Sequence, residues 1–375
     1  MGRPSIERDY MPRKRKTVII GSIITIVVLG IFALAMAERF RSFMHRPLGP
    51  SLGYPTRTAT VAGNQTPAPK STPVSLQSSA DSQIAEEEPL CGGPRVMTIL
   101  AIGSDYRYNT YLYGLSDVIK VIRVDFVTPK VTLLDFPRDL YVEIPDISQH
   151  GGITHGKLNQ PFLYGNPGLG YYDGPGEGPG LLARTLDLNY GEQPDHYIAV
   201  TMQVFVKLID AVGGVDVDLP DWELGKSPGI HHMDGAQALT FARERPDGTF
   251  ERTNRQDYIL AAFWKKLSDP SVIVHYGSII SAFYGSVETD LTPEEISQLT
   301  CLAQKLPKGN VEFLNWPQGM FTGTRVQDPV LGYTFIWAVN NDLIRAYVDD
   351  FNNGEWPEPS ITDAISDPSP VPPDP

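Results

Sequence analysis

"DVIKVIRVDFVTPKVTLLDF" spans residues 117–136. Two apolar, β-branched runs, DVIKVIRVDF (117–126) and KVTLLDF (130–136), flank the turn VTP and read as two strands joined by a tight connection. Upstream, VMTILAI (96–102) is a buried strand that runs into GSDYR. Downstream, DFPRDLYVEIP (135–145) carries the chain through Arg138 into a further strand. LLARTLDLNYG then reads as a helix ending near Gly191, and HYIAVT (196–201) as a strand. MQVFVKLIDAVGG has apolar residues at helical spacing and stops at the Gly213–Gly214 pair. GVDVDLP returns as a strand and closes a strand–helix–strand unit. MDGAQALTFAR begins a helix with Asp234 as N-cap, and a long helix runs from about Arg252 to Ser268, stopped by DP. The alternation predicts an α/β fold with a mixed central β-sheet covered by α-helices.

The flanks of this region have a different character. Residues 17–37, TVIIGSIITIVVLGIFALAMA, carry no charge and are long enough to cross a bilayer as a helix. The RKRK stretch before them (13–16) is the cationic flank expected on the cytoplasmic side. A cleaved signal peptide is the competing reading, but the run exceeds the usual h-region and lacks a small-x-small site before a domain. The expected organisation is a basic cytoplasmic segment (1–16), a transmembrane anchor (17–37), a Pro/Ser/Thr-rich linker (38–92), an extracytoplasmic globular domain (93–350) and a Pro/Asp-rich tail (351–375).

The 375-residue chain has a net charge of −13. Six basic and two acidic residues precede the apolar run, so 25 basic residues face 42 acidic ones in the remainder. Such a surface repels nucleic acid. Cys91 and Cys301 both lie beyond the run, either as one disulfide or as two buried thiols.

Against that acidic background, ARERPDGTFERTNRQ (242–256) concentrates Arg243, Arg245, Arg252, Arg255 and Gln256. In a helix beginning near Glu251, Arg252 and Gln256 share one face and Arg255 lies one position round. Arg243 and Arg245 precede the helix in an extended stretch, where alternate residues point the same way. Converging guanidinium groups need an anion between them, and phosphate or pyrophosphate suits their planar donor forks. A solvated face pairing with Glu244, Asp247 and Glu251 is the alternative. Elsewhere, Asp105 in GSD and Asp117 in LSD stand at strand ends separated by one loop. Two carboxylates opposite pyrophosphate make a site for Mg²⁺, which takes carboxylate, phosphate and water oxygens. Arg138 sits in a strand-ending turn, and Lys157 and Asn159 lie in HGKLNQPF before a Gly-rich segment.

Taken together, GSD…LSDVIKVIRVDFVTPKVTLLDFPRDLYVEIP, KLNQPF, VFVKLIDAVGGVDVDLP, MDGAQALTFARER and ERTNRQ resemble the LytR–CpsA–Psr family of membrane-anchored bacterial proteins. The resemblance covers about residues 95–345. It implies transfer of a glycan phosphate from a polyprenyl-pyrophosphate carrier to an acceptor, usually peptidoglycan. It also implies Mg²⁺ on Asp105 and Asp117, with these two and Arg138 and Arg252 in the chemistry. Arg138, Lys157, Arg243, Arg245, Arg252, Arg255 and Gln256 would then contact the pyrophosphate. An apolar slot for the lipid is implied as well, with Phe162, Leu181 and Phe205 as candidates. This chain departs from the pattern in several places. Leu115 replaces the arginine of Arg-Ser-Asp, Asp135 replaces a serine, the Arg245–Arg252 loop is short, and the Gly-rich segment 165–180 is long.

Two rivals remain at this level: a hydrolase of the same lipid pyrophosphate, and a non-catalytic module that binds lipid or wall polymer. His231–His232 lacks partners at zinc-ligand spacing, and neither a Gly-x-Ser-x-Gly elbow nor a Walker loop is present.

Overall fold

A computed structural model describes residues 36–54, 88–108, 110–244, 249–269, 286–307, 309–317 and 319–356. The cytoplasmic segment, nearly all of the predicted anchor, most of the linker, Arg245 and the tail from 357 onward lie outside the described residues. Among the described residues no helix is long and apolar enough to cross a membrane. The chain divides into a small unit, Met1–Arg46 with Thr292–Glu294, and a large one, Pro47–Leu291 with Glu295–Pro375. In the small unit residues 36–44 are helical. The predicted functional residues all belong to the large unit.

Strands β1 (Val96–Ser104), β2 (Ser116–Asp125) and β3 (Lys130–Asp135) form the antiparallel heart of the large unit. Next come the short pair β4 (Tyr141–Glu143) and β5 (His155–Lys157) and the helices α1 (Gln160–Gly165) and α2 (Glu177–Tyr190). They are followed by β6 (His196–Thr201), α3 (Met202–Ala211), β7 (Val215–Leu219), β8 (Gly229–Met233) and α4 (Gly235–Arg243). The rest comprises α5 (Thr249–Leu267), β9 (Glu288–Thr289), α6 (Pro293–Lys305), β10 (Val311–Leu314), β11 (Thr322–Asp328), β12 (Gly332–Ala338) and α7 (Asn341–Asn353). The main sheet has the order β10-β3-β2-β1-β6-β9. The β1–β6 and β10–β3 pairs are parallel and the others antiparallel, which makes the sheet mixed as expected.

The near-continuous apolar runs of β1–β3 follow from burial on both faces. Leu100, Ile102, Ile119, Val121 and Leu134 pack on one side with α2 and α7. Met97, Ile99, Val124, Val131 and Leu133 pack on the other with Leu302 of α6 and Leu260 and Trp264 of α5. The period-2 side-chain alternation of a strand divides one run between two cores. A third cluster joins α3, β7, β8, α4 and α5 around Val217, Met233, Phe241 and Ile259.

The expected caps are present. Gly191 closes α2 in the left-handed region at φ 75°. Asp234 caps α4 in a reciprocal box with Gln237. One expectation fails: β7 does not return to the sheet of β6 but pairs antiparallel with β8 as a separate hairpin. Its burial alternates strictly, as suits a strand with one covered face.

Cys91 and Cys301 are joined, with Cα atoms 5.9 Å apart across 210 residues of sequence. The bond ties the entry to β1 onto α6. Replacing both cysteines by serine is expected to lower unfolding free energy by about 2–5 kcal/mol, read by urea titration. An unchanged midpoint would show the bridge to be unnecessary.

His196 opens β6 between Asp290 at 3.5 Å and Glu295 at 3.3 Å. Burial by itself would lower its pKa, but the two carboxylates outweigh that and push it up to about 10. A raised folded-state pKa gives stability that is full below about pH 6.5, the unfolded value, and is lost as pH rises towards 10. His196→Gln should cost on the order of 1–3 kcal/mol at pH 6 and flatten the decline between pH 7 and 10. Parallel declines in the two proteins would refute the assignment.

Candidate active site

A β-bulge between Gly103 and Ser104 shifts the β1–β2 register just before Asp105. Bulges of this kind redirect side chains at strand ends. The loop that follows is clamped at its neck. Asp105 N–H donates to the Leu115 carbonyl at 3.0 Å, and Leu115 N–H donates to Asp105 Oδ1 at 2.7 Å. Asp117, the second residue of β2, is thereby held beside Asp105. Burial raises the Asp105 carboxyl above the usual carboxylate range, and the charge of Asp117 adds to the rise; the Leu115 N–H, Arg138 and Arg243 offset only part of it.

Arg138 reaches the same point from the turn after β3. Its Nη1 donates to Asp117 Oδ1, and its Nε donates to Asp139 Oδ2 at 3.2 Å. Lys157, at the end of β5 opposite Tyr141, donates from Nζ to Asp139 Oδ1 at 2.8 Å. Burial favours the neutral acid at Asp139, but the Arg138 and Lys157 cations outweigh it and hold the carboxyl below its ordinary range. Asp139 is only 4 % exposed, so it works as an internal counter-charge that locks both cations in place.

From α5, Arg252 Nη1 stands 4.0 Å from Asp117 Oδ2, and its Nη2 donates to the Asp117 carbonyl at 3.5 Å. Four separate stretches of sequence therefore meet at Asp117. The adjoining cleft of about 290 Å³ is lined by Arg138, Lys157, Asn159, Tyr164, Leu115 and the hairpin tip Val330–Leu331. Among the described residues, buried Asn159 Oδ1 finds no hydrogen-bond donor.

The remaining predicted residues divide. Arg243 is exposed at the end of α4, close enough to act electrostatically on Asp105. Arg245 lies outside the described residues. Gln256 donates to the Ala242 carbonyl at 3.3 Å, tying α5 to the end of α4. Arg255 corrects the expectation. It is 0 % exposed and spends its guanidinium on Glu223 Oε2 at 3.0 Å and the Glu244 carbonyl at 2.7 Å. A fully enclosed side chain offers no surface to a ligand, so its role is to brace the β7–β8 loop against α5. Phe162 and Leu181, proposed for a lipid slot, are likewise sealed in the main core, and Phe205 packs against the third cluster. Leu163 and Tyr164 on α1 line the cleft instead.

Two arrangements carried little sequence signal. Asp139 follows Arg138 directly, but nothing in the spacing links it to Lys157. The other is the group around Lys120, a fully buried β2 side chain at 2.9 Å from Asp135 and 2.8 Å from Asp257 of α5. Burial disfavours its charge, and the two carboxylates overcome that and raise its pKa. Thr253, next to Arg252, donates to Asp135 Oδ2 at 3.4 Å. Asp135 is therefore paired with Lys120 rather than left free beside the site, and the two help secure the helix that carries Arg252.

Regulatory protein MsrR of Staphylococcus aureus is 27% identical over 212 residues, covering 54% of this chain and 58% of MsrR. The polyisoprenyl-teichoic acid–peptidoglycan teichoic acid transferase TagU of Bacillus anthracis is 30% identical over 226 residues, covering 58% of this chain and 66% of TagU. Aligned regions thus span less than two thirds of these relatives. Among solved structures, B. subtilis TagV superposes with a TM-score of 0.54 at 23% identity, covering 70% of this chain and 99% of TagV. TagT bound to LIIa-WTA gives 0.51 at 18% identity, covering 73% of this chain and 98% of TagT; at these identities the likeness is one of fold. The LytR_cpsA_psr family model matches residues 65–336, most of the chain, and the chain belongs to that family.

Proposed function

We propose that the cleft transfers a glycan phosphate from a polyprenyl-pyrophosphate carrier to a hydroxyl of a cell-envelope acceptor such as peptidoglycan. The observation that carries this reading is the convergence of Arg138, Lys157 and Arg252 on a site that also holds Asp105 and Asp117. The relatives' names point the same way, since TagU is a polyisoprenyl-teichoic acid–peptidoglycan transferase. An anchor at 17–37 would place the domain outside the cytoplasm beside such lipids, and the Cys91–Cys301 disulfide suits that oxidising side.

In the reaction, the acceptor oxygen attacks the phosphorus next to the glycan. A new O–P bond forms, the phosphoanhydride bond breaks, and polyprenyl phosphate leaves with the electron pair. Arg138 and Arg252 exchange carboxylate contacts for phosphate oxygens and stabilise the charge that grows on the leaving group. Lys157, fixed by Asp139, adds a point charge. Asp105, with its raised proton affinity, is placed to take the hydroxyl proton. Asp105 and Asp117 fit Mg²⁺, because a close carboxylate pair leaves room for the phosphate and water ligands this ion keeps. Bound there, Mg²⁺ would neutralise and orient phosphate oxygens. The test follows a labelled lipid-pyrophosphate glycan with purified peptidoglycan. Label joined to the polymer through a phosphodiester supports transfer; release of free glycan phosphate with acceptor present makes the protein a hydrolase; retained binding without turnover makes it a binding module.

A further inference from the structure

The loop between Asp105 and Leu115 leaves and re-enters the site through one neck. Two hydrogen bonds between those residues close it. Gly114, at φ 120°, admits no side chain there, since a Cβ would lie 2.3 Å from Ser104 Oγ. Tyr111 ties the middle of the loop to the sheet: its hydroxyl stands 2.7 Å from the Ser286 carbonyl and 2.9 Å from the Ala199 carbonyl of β6. Tyr113 donates to the Gly168 carbonyl at 3.1 Å, and the Gly168 N–H donates back to the Leu112 carbonyl at 3.1 Å. The backbone is thus held, yet Tyr108, Leu112 and Tyr113 are 64, 47 and 41 % exposed. Tyr106 joins the two tyrosines into one patch, its ring centre 5.4 Å from that of Tyr108 and 6.2 Å from that of Tyr113. The sequence YRYNTYLYGLS (106–116) has Arg107 as its single charge and no acidic residue, in a chain that carries 42 acidic residues beyond the apolar run.

The connection from that run to the domain is short. Leu48 N–H donates to the Leu291 carbonyl at 3.2 Å, and Leu52 packs in the main core. The large unit therefore begins at Pro47, nine residues after the run ends at Ala37 if residues 38–46 are counted. Residues 38–44 are helical, so this stretch spans no more than about 20 Å.

We propose that loop 106–113 is a membrane-contact loop: Tyr108, Leu112 and Tyr113 enter the headgroup layer of the bilayer and hold Asp105 and Asp117 at the depth of a lipid diphosphate. This rests on the lipid-carrier reading of the site and on an anchor at 17–37, and it assigns the face that meets the membrane. A polyprenyl tail stays in the hydrocarbon, so its diphosphate lies among the headgroups and the site must come to it. Tyrosine concentrates at that depth because its ring is apolar and its hydroxyl polar. Arg107 reaches lipid phosphates while its stem lies against apolar surface. Anionic headgroups repel carboxylates, and this loop, unlike most of the chain's surface, carries none between Asp105 and Asp117. A saccharide platform calls for flat open ring faces. These rings meet at 60° and 54° and present edges and hydroxyls instead.

The experiment reconstitutes the full-length chain in phosphatidylcholine–phosphatidylglycerol vesicles with and without doxyl-labelled lipid. The two native cysteines are joined, so Leu112→Cys and, as control, Leu343→Cys on α7, which is 44 % exposed, each offer one thiol for a fluorescent label. Doxyl lipid is expected to quench the label at 112 about threefold more than at 343, because a contact loop sits within the headgroup boundary. In the same vesicles Tyr108→Asp combined with Leu112→Asp should lower transfer from a long-chain donor about tenfold. Turnover of a geranyl-pyrophosphate glycan in solution should stay unchanged. Equal quenching at the two positions, or the same loss with both donors, would overturn the assignment. So would a label at 112 that ignores doxyl lipid and responds to soluble peptidoglycan fragments, which would make the loop a glycan contact. Selective quenching at 112 in a chain that consumes neither donor would remove the transferase and leave the membrane contact standing.

Discussion

Arg138→Ala is expected to reduce transfer about 10³-fold, the scale at which a transition-state arginine acts in phosphoryl transfer. The loss should fall on kcat, because the guanidinium gains most of its interaction as charge accumulates on the departing phosphate. The same change strips Asp117 and Asp139 of a partner, so part of the loss could come from structure. Arg138→Lys separates the two effects: it restores a cation near both carboxylates but not the planar fork. Lysine should recover the stability lost to alanine while restoring less than a tenth of the activity. Full turnover by the alanine variant, measured on lipid-pyrophosphate glycan, would remove Arg138 from the mechanism.

Replacing Asp105 and Asp117 together by alanine is expected to lower turnover at least 10²-fold, the scale of losing one well-placed electrostatic element, and, on the proposed Mg²⁺ site, to leave the residual turnover indifferent to added Mg²⁺. The single variants should differ. Asp117 faces Arg138 and Arg252, so Asp117→Ala removes a carboxylate that competes for both cations and should tighten pyrophosphate binding as turnover falls. Asp105 accepts from the Leu115 N–H and feels Arg138 and Arg243 only through space, so Asp105→Asn should mainly weaken apparent Mg²⁺ affinity. Undiminished transfer by the double variant in excess chelator would refute a carboxylate-held metal.

Much of this architecture was legible in residue order. The runs at 96–102, 117–126 and 130–136 are apolar on both faces because two helical layers cover them. The Gly191 and Asp234 caps were legible for the same reason that they work, a local conformation that few residues satisfy. β8, β11 and β12 were not, since their alternation is half polar and their partners come from short hairpins. At the site, Arg138, Lys157 and Arg252 could be picked out as residue types. Helical spacing could not separate Arg252, which reaches Asp117, from Arg255, which turns to Glu223. That choice is made by the β7–β8 loop packing over one flank of α5, a tertiary fact. Nothing in the sequence signals that Asp135, which stands where the family pattern has serine, pairs with Lys120, itself shared with Asp257.

The most direct test locates the two phosphorus atoms of geranyl pyrophosphate in a crystal of the chain grown with Mg²⁺. The diphosphate should lie between Arg138, Lys157 and Arg252, with the metal bridging it to Asp105 and Asp117. A diphosphate bound elsewhere, with both arginines still closed on Asp117, would contradict the account.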